Sequence, residues 1–341
     1  MQNVDAQLRV NTDKAFGWTG GKALFEGYYG SSRSLGNNYV GTNLDSPSPI
    51  DTYGNTRFSL YQAYYDQNFG DTDLLLGVWD PQSEFANTDA QNLFLNRSFT
   101  WNAALDLSGG SLLYAGNFPW TTVAFRARQA LDDKWTIQGA VLNGMPGNPK
   151  DLGVNDYQFK GRFGAIGLAE INYVPKARTK FYVGYWGYTG KQTAYNQDRQ
   201  IYGSDGGYIG GSTRFYTQEG KRGLDGFFNI GVADSIVNEV NRSLNVGVTY
   251  TGLFDARPND KAGFAVNVNG ASDPYRKDLT AQGGNPAMYE THYELTYHAK
   301  VNDWLKVQPD IQYISHPNLV TDLKNDFVFG VHFEIGHWFE L

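Results

Sequence analysis

The sequence predicts an all-β protein, a transmembrane antiparallel β-barrel that forms a single domain over residues 1–341. Three observations carry this reading. Apolar and polar residues alternate with period two along most of the chain. No apolar run is long enough to cross a bilayer as a helix, which takes about 18 residues; Leu74-Leu75-Leu76 and Ala103-Ala104-Leu105 are typical of what is present. Short and long connections between the alternating segments follow one another in turn, as in a barrel with tight periplasmic turns and longer outer loops. A chain that enters lipid without helices must satisfy its backbone hydrogen bonds between strands, and only closure does so completely.

The alternation is clearest near the C-terminus. Tyr289, Thr291, Tyr293, Leu295, Tyr297 and Ala299 share one face, and Glu290, His292, Glu294, Thr296 and His298 the other. Leu305, Val307, Pro309, Ile311 and Tyr313 oppose Lys306, Gln308, Asp310 and Gln312. Phe327, Phe329, Val331, Phe333 and Ile335 oppose Val328, Gly330, His332 and Glu334. Each segment is about ten residues, the length of a tilted membrane strand. Weaker copies place strands near 5–15, 22–30, 57–68, 73–79, 121–130, 135–143, 164–174, 180–189, 208–218, 224–232, 243–253 and 262–270. The long connections fall at 31–56, 80–120, 144–163, 190–207, 233–242, 271–288 and 315–325.

About fifteen strands are legible, whereas single-chain bacterial barrels have an even number. The first and last strands both run toward the short-turn end, so they cannot pair antiparallel with each other. The expectation is that one upstream strand is missing from this sequence, or that the strands within it number one more or one fewer than fifteen. The 23 Tyr, 21 Phe and 40 Gly suit strands and turns, and the aromatics suit interfacial girdles. A soluble β-sandwich accounts for the composition but not for the loop alternation.

The chain has no cysteine, which removes disulfides, thiolate metal sites and thiol nucleophiles. A formal charge of −7 offers no basic patch for nucleic acid. The opening MQNVDAQLRVNTDK has no apolar core and is not a signal peptide; for an exported barrel, the signal is expected to be absent from this sequence.

Several stretches resemble the carbohydrate-selective porin family of the OprB type: Ser59–Phe99 as strand, tight turn, strand and inward-folding loop, Phe118–Pro149 as the next hairpin, and Tyr289–Pro317 as a late hairpin. The resemblance covers most of the chain. It implies a 16-strand barrel with one strand ahead of Met1, residence in the Gram-negative outer membrane, and passive passage of glucose and similar sugars through a constricted pore. It also implies outer-membrane lipid as surroundings, with assembly machinery engaging the last strand. Glu334-x-Gly336-x-x-Phe339-x-Leu341 resembles the assembly signal, with Leu in place of the commoner terminal aromatic. Homo-oligomers are common among wide porins, though no interface is legible here.

A sugar channel needs side chains that exchange hydrogen bonds with hydroxyls and aromatics that stack on the sugar ring. Alternation points Arg126 and Arg128 inward, opposite Val123, Phe125 and Ala127, and likewise Gln62, Asp66, Glu170, Asn172, Glu290, Glu294 and Asp310. The arginines against acidic groups would create a transverse field. Loop 80–120 carries Trp79, Phe85, Leu93, Phe94, Leu95, Phe99, Trp101 and Trp120, too much apolar surface for a loop in water. It is expected to fold into the lumen and to offer Glu84, Asn87, Asp89, Asn96 and Arg97. The expected solute-binding set is Arg126, Arg128, Glu84, Gln62, Asp66, Asn96, Phe94, Trp101, Trp120, Glu290, Glu294 and Asp310. For each polar member, a merely solvated lumen charge competes equally with a selective role.

Catalysis is not expected. There is no Gly-x-Ser-x-Gly elbow, and His292 and His298 lie about 20 Å apart along one strand, too far to share a metal. Asp151, Asn155 and Asp156 lack calcium-loop spacing. No cofactor is expected. The rivals are a general porin and a surface barrel whose loops bind a partner; outer loops other than 80–120, rich in Gly, Asn, Asp and Pro, read as compact turns.

Overall fold

A computed structural model of the chain describes residues 1–42, 44, 46–52, 54, 56–108, 116, 118, 120–145, 157, 159, 161–197 and 199–340. Fifteen antiparallel strands form one sheet in strict sequence order. They are β1 Gln2–Asn11, β2 Gly21–Ser31, β3 Thr56–Phe69, β4 Thr72–Trp79, β5 Thr122–Ala130, β6 Trp135–Asn143, β7 Ala165–Lys176 and β8 Thr179–Thr193. β9 Gln200–Thr217, β10 Gly223–Ala233, β11 Val240–Thr251, β12 Lys261–Ala271, β13 Tyr289–Lys300, β14 Leu305–Ser315 and β15 Asp326–Ile335 complete it. All fifteen expected strands form. No described helix is long and apolar enough to cross a membrane.

Several boundaries differ from expectation, each for a local reason. β1 ends at Asn11 rather than near 15, because the Asn11 side chain accepts the Asp13 and Lys14 N–H groups and caps a short helix, Thr12–Phe16. Gly17, at φ 72°, closes that helix in the left-handed conformation. The connection expected at 190–207 is mostly strand, since β8 reaches Thr193 and β9 starts at Gln200, and the one expected at 233–242 shortens to 234–239 between β10 and β11. The segment Ile201–Gly207 escaped the period-two reading because its Gly, Ser and Asp residues carry little apolar contrast.

The two faces are chemically distinct. Outward positions are exposed and apolar, as at Phe125, Val141, Ile171, Val183, Phe264, Leu295, Phe329 and Phe333. Aromatics collect at strand ends: Trp135 stacks on Tyr173 at 4.4 Å, and Tyr313 meets Phe327 at 4.7 Å. Inward positions are polar or small over much of the sheet and apolar on parts of β4–β9, and most of them are buried. β1 and β15 are the two edges of the sheet among the described residues, and they run in the same direction. They are near each other, since the Arg9 guanidinium lies 4.5 Å from the Trp338 ring centre. The C-terminal residues after Ile335 are not strand, and Leu341, like Asp151, Asn155 and Asp156, lies outside the described residues.

Candidate channel constriction

The described residues 80–108 of the loop after β4 pack against inward-facing side chains of the sheet. Its root is fixed at Asp80, whose carboxylate accepts the Tyr61 hydroxyl at 2.5 Å and the Gln82 N–H at 2.9 Å. A register shift in β3 between Leu60 and Gln62 lets Tyr61, the neighbour of the inward Gln62, reach Asp80. Burial pushes the Asp80 carboxyl up to about 6, against the opposing effect of the Tyr61 hydrogen bond.

From this root the loop runs through short helical turns at Pro81–Ser83, Gln91–Leu93, Arg97–Thr100 and Ala103–Asp106. Asn96 and Asn102 cap the last two through Ser98 and Ala104 N–H groups. The aromatics pack rather than face water. Phe85, Trp101 and Leu105 join inward residues of β4–β9, among them Leu75, Leu142, Leu168 and Trp186, in one buried cluster. Trp101 is fully buried and its indole N–H donates to the Phe85 carbonyl at 2.8 Å. Phe94 packs on Phe99 and Phe227, with ring centres 5.2 and 5.6 Å apart.

The opposite wall makes room for this loop with glycine. A Cβ on Gly263 would sit 2.7 Å from Leu93 Cδ2 and 2.9 Å from the Phe94 ring, and one on Gly231 would overlap the Asn102 amide. Inward glycines in β10–β12 were the sequence signal for the loop's seat, and alternation alone did not reveal it, because an inward Gly reads as neutral.

A second loop, between β2 and β3, also folds inward, where the sequence suggested a compact outer turn. Its Asp51 carboxylate accepts the Ser32 and Ser46 hydroxyls at 2.6 and 2.8 Å. Leu44 packs with Ala103, Val240, Ala271 and Leu319. The Arg97 N–H donates to the Ser46 carbonyl at 3.0 Å, joining the two loops.

The predicted site residues separate into two groups. On the β3–β8 side, Arg126 is buried and donates from Nη2 to Glu84 Oε1 at 3.0 Å and Asp66 Oδ2 at 3.4 Å. Arg128 is 38% exposed, donates to Asp73 Oδ2 at 2.7 Å and approaches Glu84 Oε2 at 4.0 Å. Gln62 donates to Glu26 Oε2 at 2.8 Å and is partly exposed, as is Trp120. Lys180, not singled out beforehand, donates to the Asn87 carbonyl at 3.0 Å and stands 4.0 Å from the buried Glu170. Glu170 accepts the Ala86 N–H at 2.7 Å and the Tyr208 hydroxyl at 2.9 Å, holding the bend where Ala86 has φ 51°. The arrangement sets alternating charges, partly open to water, beside the loop edge.

On the β13–β14 side, Glu290, Glu294 and Asp310 are buried together with Asn96 of the loop. Glu294 accepts the Leu95 and Asn96 N–H groups at 2.7 and 2.9 Å. Glu290 accepts the Thr42 hydroxyl at 2.9 Å, and Asp310 accepts from Gln312 at 2.7 Å. Here Glu290 and Glu294 meet the loops themselves, while Asp310 meets Gln312 of its own strand. Among the described residues no cluster of His, Asp and Glu has the geometry to hold a metal ion.

This geometry can be set against known proteins. The model of the carbohydrate-selective porin, OprB family, matches residues 1–336. Porin B of Pseudomonas aeruginosa is 26% identical over 367 aligned residues, which cover 95% of this chain and 79% of that protein. The putative porin QuiX of Acinetobacter baylyi is 24% identical over 217 residues, 59% of this chain and 43% of its own length. In fold, the chain matches the high-pH structure of Pseudomonas putida OprB with a TM-score of 0.86 at 24% identity, covering 98% of this chain and 87% of that one. The outer membrane channel DcaP of Acinetobacter baumannii matches with a TM-score of 0.54 at 12% identity, over 91% of this chain and 78% of that one.

Proposed function

The chain belongs to the carbohydrate-selective porin, OprB family, and is an outer-membrane sugar channel; we propose that small sugars such as glucose pass along the charged strip of Asp66, Asp73, Glu84 and Arg128, flanked by Gln62, Trp120 and Lys180. The observation that carries this reading is the partial exposure of Arg128 beside two carboxylates at the edge of an inward-folded loop. A sugar hydroxyl can both donate to a carboxylate and accept from a guanidinium, and charged partners make each such bond stronger than a neutral one. Because those charges already satisfy one another, each exchange nets little, and the solute leaves as readily as it enters. Passive diffusion of this kind requires no catalytic group. The alternating Phe327, Phe329, Val331, Phe333 and Ile335 of β15 supply the apolar strand for the outer-membrane assembly machinery.

The test is liposome swelling over mono- and disaccharides, with Arg128→Ala and Glu84→Gln variants beside the natural chain. Faster entry of glucose than of an amino acid of similar size, with about a threefold loss of that preference in Arg128→Ala, is the expected result. Entry that follows molecular size alone, unchanged by either variant, would make the channel a general porin and remove the strip's role.

A further inference from the structure

On the β13–β14 wall the side chains form a continuous relay that touches both inward loops. Asn96 Oδ1 accepts the Ser98 N–H at 3.0 Å, so Nδ2 is the atom it turns to the wall. That Nδ2 donates to Gln312 Oε1 at 2.8 Å and faces His292 Nδ1 at 2.9 Å. His292 Nδ1 therefore accepts, and its Nε2–H donates to Glu290 Oε1 at 2.6 Å. Glu290 in turn accepts from Thr42 of the first loop, and Gln312 donates to the Pro47 carbonyl of that loop at 2.8 Å. His292, Glu290 and Glu294 are all completely buried. Glu294 fixes the Leu95–Asn96 backbone that begins this relay.

We propose that Glu290, His292, Glu294 and Gln312 are positioning residues, a latch that couples loop 32–55 to loop 80–108 so that the two move as one unit and together set the width of the channel. This deepens the reading of the chain as a sugar channel and rests on it. The donors and acceptors are matched end to end, so a break at either loop leaves a buried group unpaired on the wall, and that cost passes to the other loop. The direct links between the loops, from Arg97 N–H to the Ser46 carbonyl and between Leu44 and Ala103, give the coupling a second route in the same direction. The latch assigns Glu290 and Glu294 to holding backbone and hydroxyl donors rather than to a passing solute.

The experiment is hydrogen exchange of the full chain in lipid nanodiscs, read on peptides covering 32–42 and 94–100, for Thr42→Val, Thr42→Ser and Glu294→Gln. Thr42→Val removes one hydroxyl from an outer loop and leaves the barrel strands untouched. It is expected to speed exchange about tenfold in 94–100 as well as in its own loop, the factor that losing one buried hydrogen bond of about 1.4 kcal/mol gives. Thr42→Ser keeps the hydroxyl and should restore the natural rates in both. Glu294→Gln should act reciprocally on 32–42 and raise single-channel conductance with added open-channel noise. Exchange that changes only in the loop carrying or touching the substitution would overturn the latch, even with sugar passage intact. If the natural chain passes no sugar while the reciprocal exchange holds, the channel reading fails and the coupling of the loops stands.

Discussion

Two walls of the lumen hold the same loop, and they hold it differently. On the β3–β8 wall the loop leaves charge partly open to water: Arg128 is 38% exposed, Lys180 27%, Asp66 23% and Glu84 22%. On the β13–β14 wall Glu290, His292 and Glu294 are completely buried beneath it. Each wall has one buried carboxylate that receives loop backbone N–H groups, Glu170 at Ala86 and Glu294 at Leu95 and Asn96. The difference lies in what surrounds that anchor. Around Glu170 stand cations that can still reach a solute, whereas around Glu294 stand amides, an imidazole and further acids that only the loops can reach. An inward-facing charge is thus not in itself a binding residue. Access to water separates those that can meet a sugar from those that shape the space it moves through.

The largest effect should come from removing the anchor of the open wall. Glu170→Ala strips the partner from the Ala86 N–H and the Tyr208 hydroxyl and removes the buried carboxylate beside the Lys180 ammonium. Unpaired buried donors of this kind cost about 3 kcal/mol together. The expectation is a clear fall in the urea midpoint of the refolded barrel and a loop released from its bend. Equal stability of the variant and the natural chain would mean that the bend holds itself and that the two anchors are not equivalent. A smaller effect is expected on the opposite wall. Gly263→Val pushes a branched side chain into Leu93 and Phe94, an overpacking cost of about 1–3 kcal/mol borne by the loop rather than the strand. Conductance should rise while the strand content measured by circular dichroism stays unchanged. Unaltered conductance would show that the glycine seat is not what fixes the loop.

These walls also mark what a single sequence can show. Strand existence was fully legible because barrel strands repeat one rule, lipid on one side and water or packing on the other, and that rule survives in Tyr289–Lys300 residue by residue. Inward orientation of Arg126, Glu170, Glu290 and Glu294 followed from the same parity. Burial did not follow, because it depends on where a loop distant in sequence comes to rest. Glu294 and Leu95 are 199 positions apart, and no local pattern links them. The aromatic content of 80–120 pointed to a loop that packs rather than faces water, and its described residues 80–108 do pack against the sheet. The Ser, Thr and Asn content of 32–55 hid a second one, since its burial is secured by hydroxyls on Asp51 and not by apolar mass. Strand extension beyond the lipid was missed for the opposite reason: past the membrane both faces meet water and the alternation lapses.

The smallest effect concerns the root of the loop, where the two walls' demands begin. Asp80 is the junction between β4 and the constriction, and burial raises its carboxyl to about 6 from an ordinary 3.8. The folded loop therefore binds that proton more tightly than a released one does. Its contribution to holding the loop is complete below about pH 3.8 and is lost as pH rises through about 6. Between these limits the natural chain should show a gradual increase in open-channel noise with pH. Asp80→Asn keeps Oδ1 as the acceptor for the Gln82 N–H, turns an NH2 donor toward the Tyr61 hydroxyl oxygen, and carries no titrating proton. It should flatten that part of the profile while leaving the noise at low pH as in the natural chain. If the variant keeps the full slope, the titration belongs to another carboxylate, and the root of the loop is insensitive to the proton. If the slope goes, the loop is fastened at three carboxylates with separate duties: Asp80 adjusts its root with pH, Glu170 keeps its bend beside the open charges, and Glu294 ties it to the closed wall.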